Sequence, residues 1–142
     1  MSQVKLRVPG ATGEGANEEM LPVDELGPNR YRLLSAPLWV PGLAAEDVFE
    51  LSEADPRGYR VLESGGNLCI WFRMPAEVAE RHELVVDALD GGLEWIGGRL
   101  DGRAGWAFSF TLSAGVDRPI YAKAFDGAVA RVPGSRWMIG NG

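Results

Sequence analysis

The run Leu68-Cys69-Ile70-Trp71-Phe72 constrains the fold more than any other stretch of this chain. Five consecutive apolar residues leave no polar face, so as a strand the segment must be covered on both sides. The order that follows it is regular. Pro75 suits a first helical position, where its missing N–H is no loss, and Pro75–Asp90 reads as a helix closed by Gly91-Gly92. Leu93–Leu100 and Ala104–Leu112 read as strands joined by Asp101-Gly102, a strong hairpin signal, with Trp106, Phe108, Phe110 and Leu112 on one face. Asp117 is placed to cap a helix reaching about Asp126, whose apolar side is Ile120, Tyr121, Ala124 and Phe125. Arg136–Ile139 reads as a last strand. From Leu68 onward the order is therefore β-α-β-β-α-β, the ferredoxin-like split βαβ arrangement.

The first half is patterned differently. Gln3–Val8 alternates Val4, Leu6 and Val8 with Gln3, Lys5 and Arg7, a strand with one wet face. Pro9–Glu19 has no bulky apolar residue and reads as a loop. Its GATGEG resembles a phosphate-cradling loop only superficially, because it runs into Asn17, Glu18 and Glu19, whose charges repel phosphate. Leu21–Leu26 is a short extended piece. In Asn29–Leu51 the sequence predicts a strand over Arg30–Leu34, a short strand at Leu38–Val40 between Pro37 and Pro41-Gly42, one helical turn at Leu43–Glu46, and a strand over Val48–Leu51. Asp47 is expected to bond backbone amides of the turn before it. Tyr59–Leu62 adds another strand, so the half is a small curled sheet or partial barrel. The expected fold is α+β: residues 1–66 a β-rich subdomain, residues 67–142 a ferredoxin-like one, sharing one core as a single domain.

The segment NRYRLLSAPLWVPGLAAEDVFEL, followed by a short strand and LCIWF, resembles the bacterial domain-of-unknown-function family 4265. Members show a similar "RYRL…P…GLA.GDV.E" stretch, matched here by Arg30–Leu33, Pro37, Gly42, Leu43, Asp47, Val48 and Glu50. Glu46 stands where the family usually has glycine, and GGNLCIWF replaces a polar Ser/His cluster. The resemblance implies a fold and a bacterial origin. It implies no activity.

Charge and residue supply narrow the chemistry. The formal net charge of −6 repels phosphate backbones, which argues against nucleic-acid binding and favours a basic partner. One cysteine, Cys69, cannot form a disulfide within the chain. One histidine, one cysteine and scattered carboxylates do not make a metal set, and no cofactor motif is present. Met1–Val8 has no apolar signal core, and no apolar stretch approaches the roughly 20 residues of a membrane span. A cytoplasmic protein is expected.

Candidate site residues follow from these exclusions. His82 lies with Val78, Val85 and Leu89 on the apolar stripe of the first helix, a core position rather than that of a base. Cys69 in an apolar strand is expected to stay protonated and inert. The carboxylate pairs Glu18/Glu19 and Asp24/Glu25 read as surface. Glu77, Glu80, Glu83, Asp87 and Asp90 fall on one arc of the helix at spacings of three and four, where like charges repel and Arg81 relieves only part. That arc is a candidate docking strip for a basic protein. Trp71 and Trp106 are expected in the core, whereas Trp39 and Trp137 are candidates for a partner-binding surface. The functional expectation is a non-enzymatic protein-binding module, most concretely an immunity protein that neutralises a cognate bacterial toxin. The alternative is a small-ligand sensor or an enzyme using a cleft between the subdomains near Trp39, Asp47 and His82.

Overall fold

The structure is a computed structural model and describes residues 2–9 and 17–142. The GATGEG segment thus lies outside the described residues. Strands β1 (Ser2–Arg7), β2 (Glu18–Gly27), β3 (Arg30–Leu33), β4 (Val48–Leu51) and β5 (Tyr59–Glu63) form an antiparallel meander in that order. Alternation decides which face is wet: Val4 and Leu6 point inward and Lys5 and Arg7 outward. The inner face packs Leu21, Val23, Leu33, Val40, Leu43, Phe49 and Tyr59 into one cluster. Arg7 reaches from β1 to the carbonyl of Pro56 in the β4–β5 connection, 3.3 Å away.

Three local expectations in this half are corrected. Glu18 and Glu19 belong to β2, not to a loop, and β2 is ten residues long rather than a short piece. Leu38–Val40 is not a strand. Its amides bond the Glu19 carboxylate instead of a neighbouring strand. Leu43–Glu46 is a turn without helical pairing; Glu46 donates to the carbonyl of Leu33 and Asp47 to that of Ala44. Asp47 behaves as its sequence context predicts, since its carboxylate accepts from the amides of Ala44 and Gly65 at 2.9 and 2.8 Å.

The second sheet contains β6 (Asn67–Arg73), β7 (Arg99–Ala104), β8 (Ala107–Ser113) and β9 (Arg136–Ile139), ordered β7-β8-β6-β9 and antiparallel throughout. With helices α1 (Glu83–Glu94) and α2 (Arg118–Arg131), the molecule is mixed α+β. One face of this sheet, Ile70, Phe72, Phe108, Phe110 and Leu112, buries against Val86, Leu89, Leu93, Tyr121, Phe125 and Ala128 of the helices. The other face meets the loop of residues 34–47. Cys69 and Trp71 pack there with Ala36 and Ala44, and the amide of Gly42 donates to the carbonyl of Gly140. Both faces of β6 are covered, as its apolar run requires.

Helix limits differ from the sequence reading because burial outweighs propensity. The first helix does not run from Pro75 to Asp90. A 3-10 segment, Ala76–His82, precedes α1, which passes through Gly91-Gly92 to Glu94. Two glycines cost about 1 kcal/mol each relative to alanine in a helix. Continuing buries Leu93, four residues beyond buried Leu89, and a leucine side chain gains about 1.5–3 kcal/mol on burial. Leu93–Leu100 is accordingly not a strand as a whole. Nor is Asp101-Gly102 the hairpin turn: both lie within β7, at an irregularity in its register, and the turn falls at Gly105-Trp106, where Gly105 has φ 62°. Trp106 therefore leaves the core face expected for it. Likewise α2 passes Gly127 because Tyr121, Phe125 and Ala128 repeat on its buried side. Asp117 occupies the cap position but makes no side-chain cap bond.

Candidate functional site

Glu19 organises the loop that covers the second sheet. Its carboxylate accepts from the backbone amides of Leu38, Trp39 and Val40 at 2.8, 2.9 and 3.1 Å. Three amides converging on one anion hold this Pro-bounded segment without a ladder. The loop then meets a row of polar side chains from the sheet. The amide of Ala36 donates to Asp101 at 2.7 Å, Ser109 donates to the carbonyl of Ala36 at 2.9 Å, and the Trp71 indole donates to the carbonyl of Pro37 at 2.6 Å. Arg73, which is buried, donates to the carbonyls of Leu38 and Phe108. Its guanidinium lies 4.7 Å from the Trp39 ring centroid and 4.9 Å from that of Trp71. Burial pulls the Arg73 pKa down to about 10. Two carbonyls and two ring faces replace the water that the cation has lost.

That sandwich fixes Trp39, which meets Trp106 edge-to-face with centroids 5.3 Å apart. Trp106, 38% exposed, sits at the hairpin tip and lines a surface cavity of about 290 Å³ with Ala76, Glu80, Glu83 and Arg103. The structure thus brings Trp39 to the N-terminal part of the acidic strip through Trp106. Glu77, Glu80, Glu83 and Asp87 are exposed, and among the described residues none of them forms an ion pair. Asp90 differs: it is half-buried and accepts from the amide of Leu100 at 2.9 Å.

The other candidates lie elsewhere. Trp137 is on the helix side of the sheet, stacked on Phe125 and donating to Asp126 at 2.8 Å, so it does not join Trp39. His82 ends the 3-10 segment, half-buried on the helix side. Asp47 is buried in its own turn. Trp39 and Asp47 share the loop of residues 34–47, whereas His82 ends the 3-10 segment before α1; the contact between the sheet and the loop is filled by Ala36, Ala44, Cys69 and Trp71. Burial pushes the Cys69 thiol up to about 12. Among the described residues no three His, Cys, Asp or Glu side chains are grouped to hold a metal ion. No described helix is long and apolar enough to cross a membrane.

Sequence reasoning missed Glu19, Arg73 and Trp106. Glu19 was hidden in an acidic stretch, and its partners are the amides of a distant loop. Trp106 carried a signal, since it follows a glycine between two alanines.

The family model described as a domain of unknown function, DUF4265, matches residues 18–118, which includes strands of both sheets. The chain belongs to this DUF4265 family. Glu46, within the stretch that the family model matches, has φ 73°, the left-handed conformation that glycine adopts without strain. A solved structure titled "Novel crystal structure of a hypothetical protein from Neisseria gonorrhoeae" is similar in fold, with a TM-score of 0.67 over 99% of this chain and 95% of that one at 13% identity. No curated protein matches this DUF4265 sequence.

Proposed function

We propose that this chain is a non-enzymatic protein-binding module, most concretely an immunity protein that neutralises a cognate bacterial toxin in the cytoplasm by covering its active site. One observation carries the reading: Glu77, Glu80, Glu83 and Asp87 stand exposed without ion pairs among the described residues, beside the partly exposed Trp106. Like charges three and four apart repel by a few tenths of a kcal/mol per pair, a cost that a basic partner relieves. An aromatic anchor beside a charged rim is the pattern of a binding hot spot, with the rim steering the encounter. Trp39 supports Trp106 from behind. Asp90 and Trp137, each already bonded within the chain, are peripheral to the contact.

The architecture in this reading is a rigid platform. Residues 1–66 form a curled sheet approaching a partial barrel, and residues 67–142 a ferredoxin-like half, the two packed as one domain. The strand order β7-β8-β6-β9 and the polar row from Ser109 to Arg73 support it.

The test begins with pull-down from the native host and mass spectrometry, which supplies the partner. Calorimetry then compares the chain with Glu77→Lys/Glu80→Lys/Glu83→Lys and with Trp106→Ala. Each variant is expected to weaken binding at least about tenfold, equal to about 1.4 kcal/mol. Unchanged affinity in the triple variant sinks the acidic-strip reading.

A further inference from the structure

The groove between α1 and α2 is open and apolar, with a volume of about 440 Å³. Val85, Ala88 and Gly92 form one wall, and Ile120, Ala124 and Gly127 the other. A Cβ built on Gly92 or Gly127 would meet no atom within 4 Å, so the helix backbone itself lies open there. Beside it stand the most exposed large apolar side chains among the described residues, Trp95 at 91% and Leu84 at 81%, with Ile120 at 51%. Leu84 and Trp95 are three turns apart, within about 20° on the helix surface, and so form one ridge.

We infer that this groove seats a second copy of the chain, in an isologous dimer where α1 of each protomer lies on α2 of its partner. Three features select that occupant. First, direction: β6 and β7 both run antiparallel to β8, so α1, which joins them, runs opposite to β6, while α2 joins β8 to β9 and runs along β6. A two-fold axis parallel to the helices therefore sets the partner's α1 antiparallel to α2. Second, register: Leu84 to Trp95 and Ile120 to Arg131 are equal spans, about 16 Å each. In that arrangement Trp95 meets the Ile120 end of the partner's α2 and Leu84 the Arg131 end. Third, charge: α1 carries Glu83, Asp87, Asp90 and Glu94 with no basic residue, whereas α2 carries Arg118, Lys123 and Arg131 against Asp126. The alternative two-fold, α1 on α1, opposes carboxylates with their own copies. Glu83 and Asp87 of α1 are shared with the docking strip, whereas Glu77, Glu80 and Trp106 lie outside this contact and Lys123, Arg131, Trp95 and Ile120 belong to the dimer alone.

Sedimentation velocity over a concentration series of the full chain tests the inference, with circular dichroism to establish that each variant is folded. The wild type is expected to dimerise. Trp95→Glu, and on the opposite helix Ile120→Glu, are expected to weaken the dimer at least tenfold. Lys123→Glu/Arg131→Glu alone and Asp87→Lys/Glu94→Lys alone are expected to be monomeric, and their equimolar mixture to dimerise. A wild type that stays monomeric up to about 100 µM overturns the proposal, as that excludes even a weak specific dimer. A dimer indifferent to both Trp95→Glu and Ile120→Glu overturns it too. Dimerisation of Lys123→Glu/Arg131→Glu alone, or failure of the mixture to dimerise, refutes the α1-on-α2 arrangement.

Discussion

Replacing Glu19 with alanine removes the acceptor of three backbone amides at once. A hydrogen bond to a charged group contributes about 1.5–3 kcal/mol when measured singly. The three share one carboxylate and are not additive, and the amides of half-exposed Leu38 and Trp39 can regain water, whereas Val40 is fully buried. The expected loss is therefore about 3 kcal/mol, a large share of the 5–15 kcal/mol typical of a domain. With a urea slope of about 2 kcal/mol per molar, the midpoint falls by about 1.5 M. Glu19→Gln keeps one oxygen but turns an N–H₂ toward amide donors, and is expected to lose about 2 kcal/mol. Amide hydrogen exchange should accelerate at Leu38, Trp39 and Val40 before it does in β6. A loss below about 1 kcal/mol in Glu19→Ala would refute the reasoning, since solvent would then be serving those amides as well as the carboxylate does.

Arg73→Lys keeps the charge but loses the planar stack between Trp39 and Trp71, and should cost about 2 kcal/mol in urea melts; a neutral result would mean that the stack contributes nothing. Burial raises the Cys69 pKa from 9.0 to about 12, so the folded chain keeps a proton that the unfolded chain loses. Stability from this group is constant below pH 9 and declines as pH rises above it. Arg73, lowered to about 10, acts oppositely above that pH, so the comparison belongs between pH 9 and 10. There Cys69→Ala should show a flatter urea midpoint than the wild type, and equal slopes would contradict the burial argument. Gly140→Ala places a Cβ 2.7 Å from the Trp71 ring and should lower stability by about 1–3 kcal/mol, read by thermal melting. Glu46→Gly relieves a left-handed glutamate and should raise stability by up to about 1 kcal/mol in the same assay; a lower melting temperature would show that the side chain has a role its exposure conceals.

Much of this molecule is legible from local pattern. The two-residue alternation of Gln3–Val8 and the apolar run of β6 each report a face that is or is not covered, and both strands form as read. Asp47 is legible because its first partner, Ala44, is three residues away. The spacing of Glu77, Glu80, Glu83, Asp87 and Asp90 is visible in the chain, but one helical arc is not what carries them: Glu77 and Glu80 lie in the 3-10 segment and the other three in α1. Glu19, Arg73 and Asp101 are not legible: their partners in the loop of residues 34–47 lie 19 to 65 residues away, and local pattern does not announce them.

The sequence by itself determined which faces of the regular segments are buried, as in β1 and β6, because side-chain periodicity is a property of neighbours along the chain. Tertiary structure decided where the elements end and what the polar residues do. Leu93 draws α1 through two glycines because burying it outweighs their propensity cost. The second sheet closes its polar face on a loop with no ladder of its own, so Glu19 supplies the acceptor for the loop's amides. Asp101 is claimed by that same closure, which leaves the hairpin turn to Gly105-Trp106 and carries Trp106 out of the core to the rim beside Glu80 and Glu83.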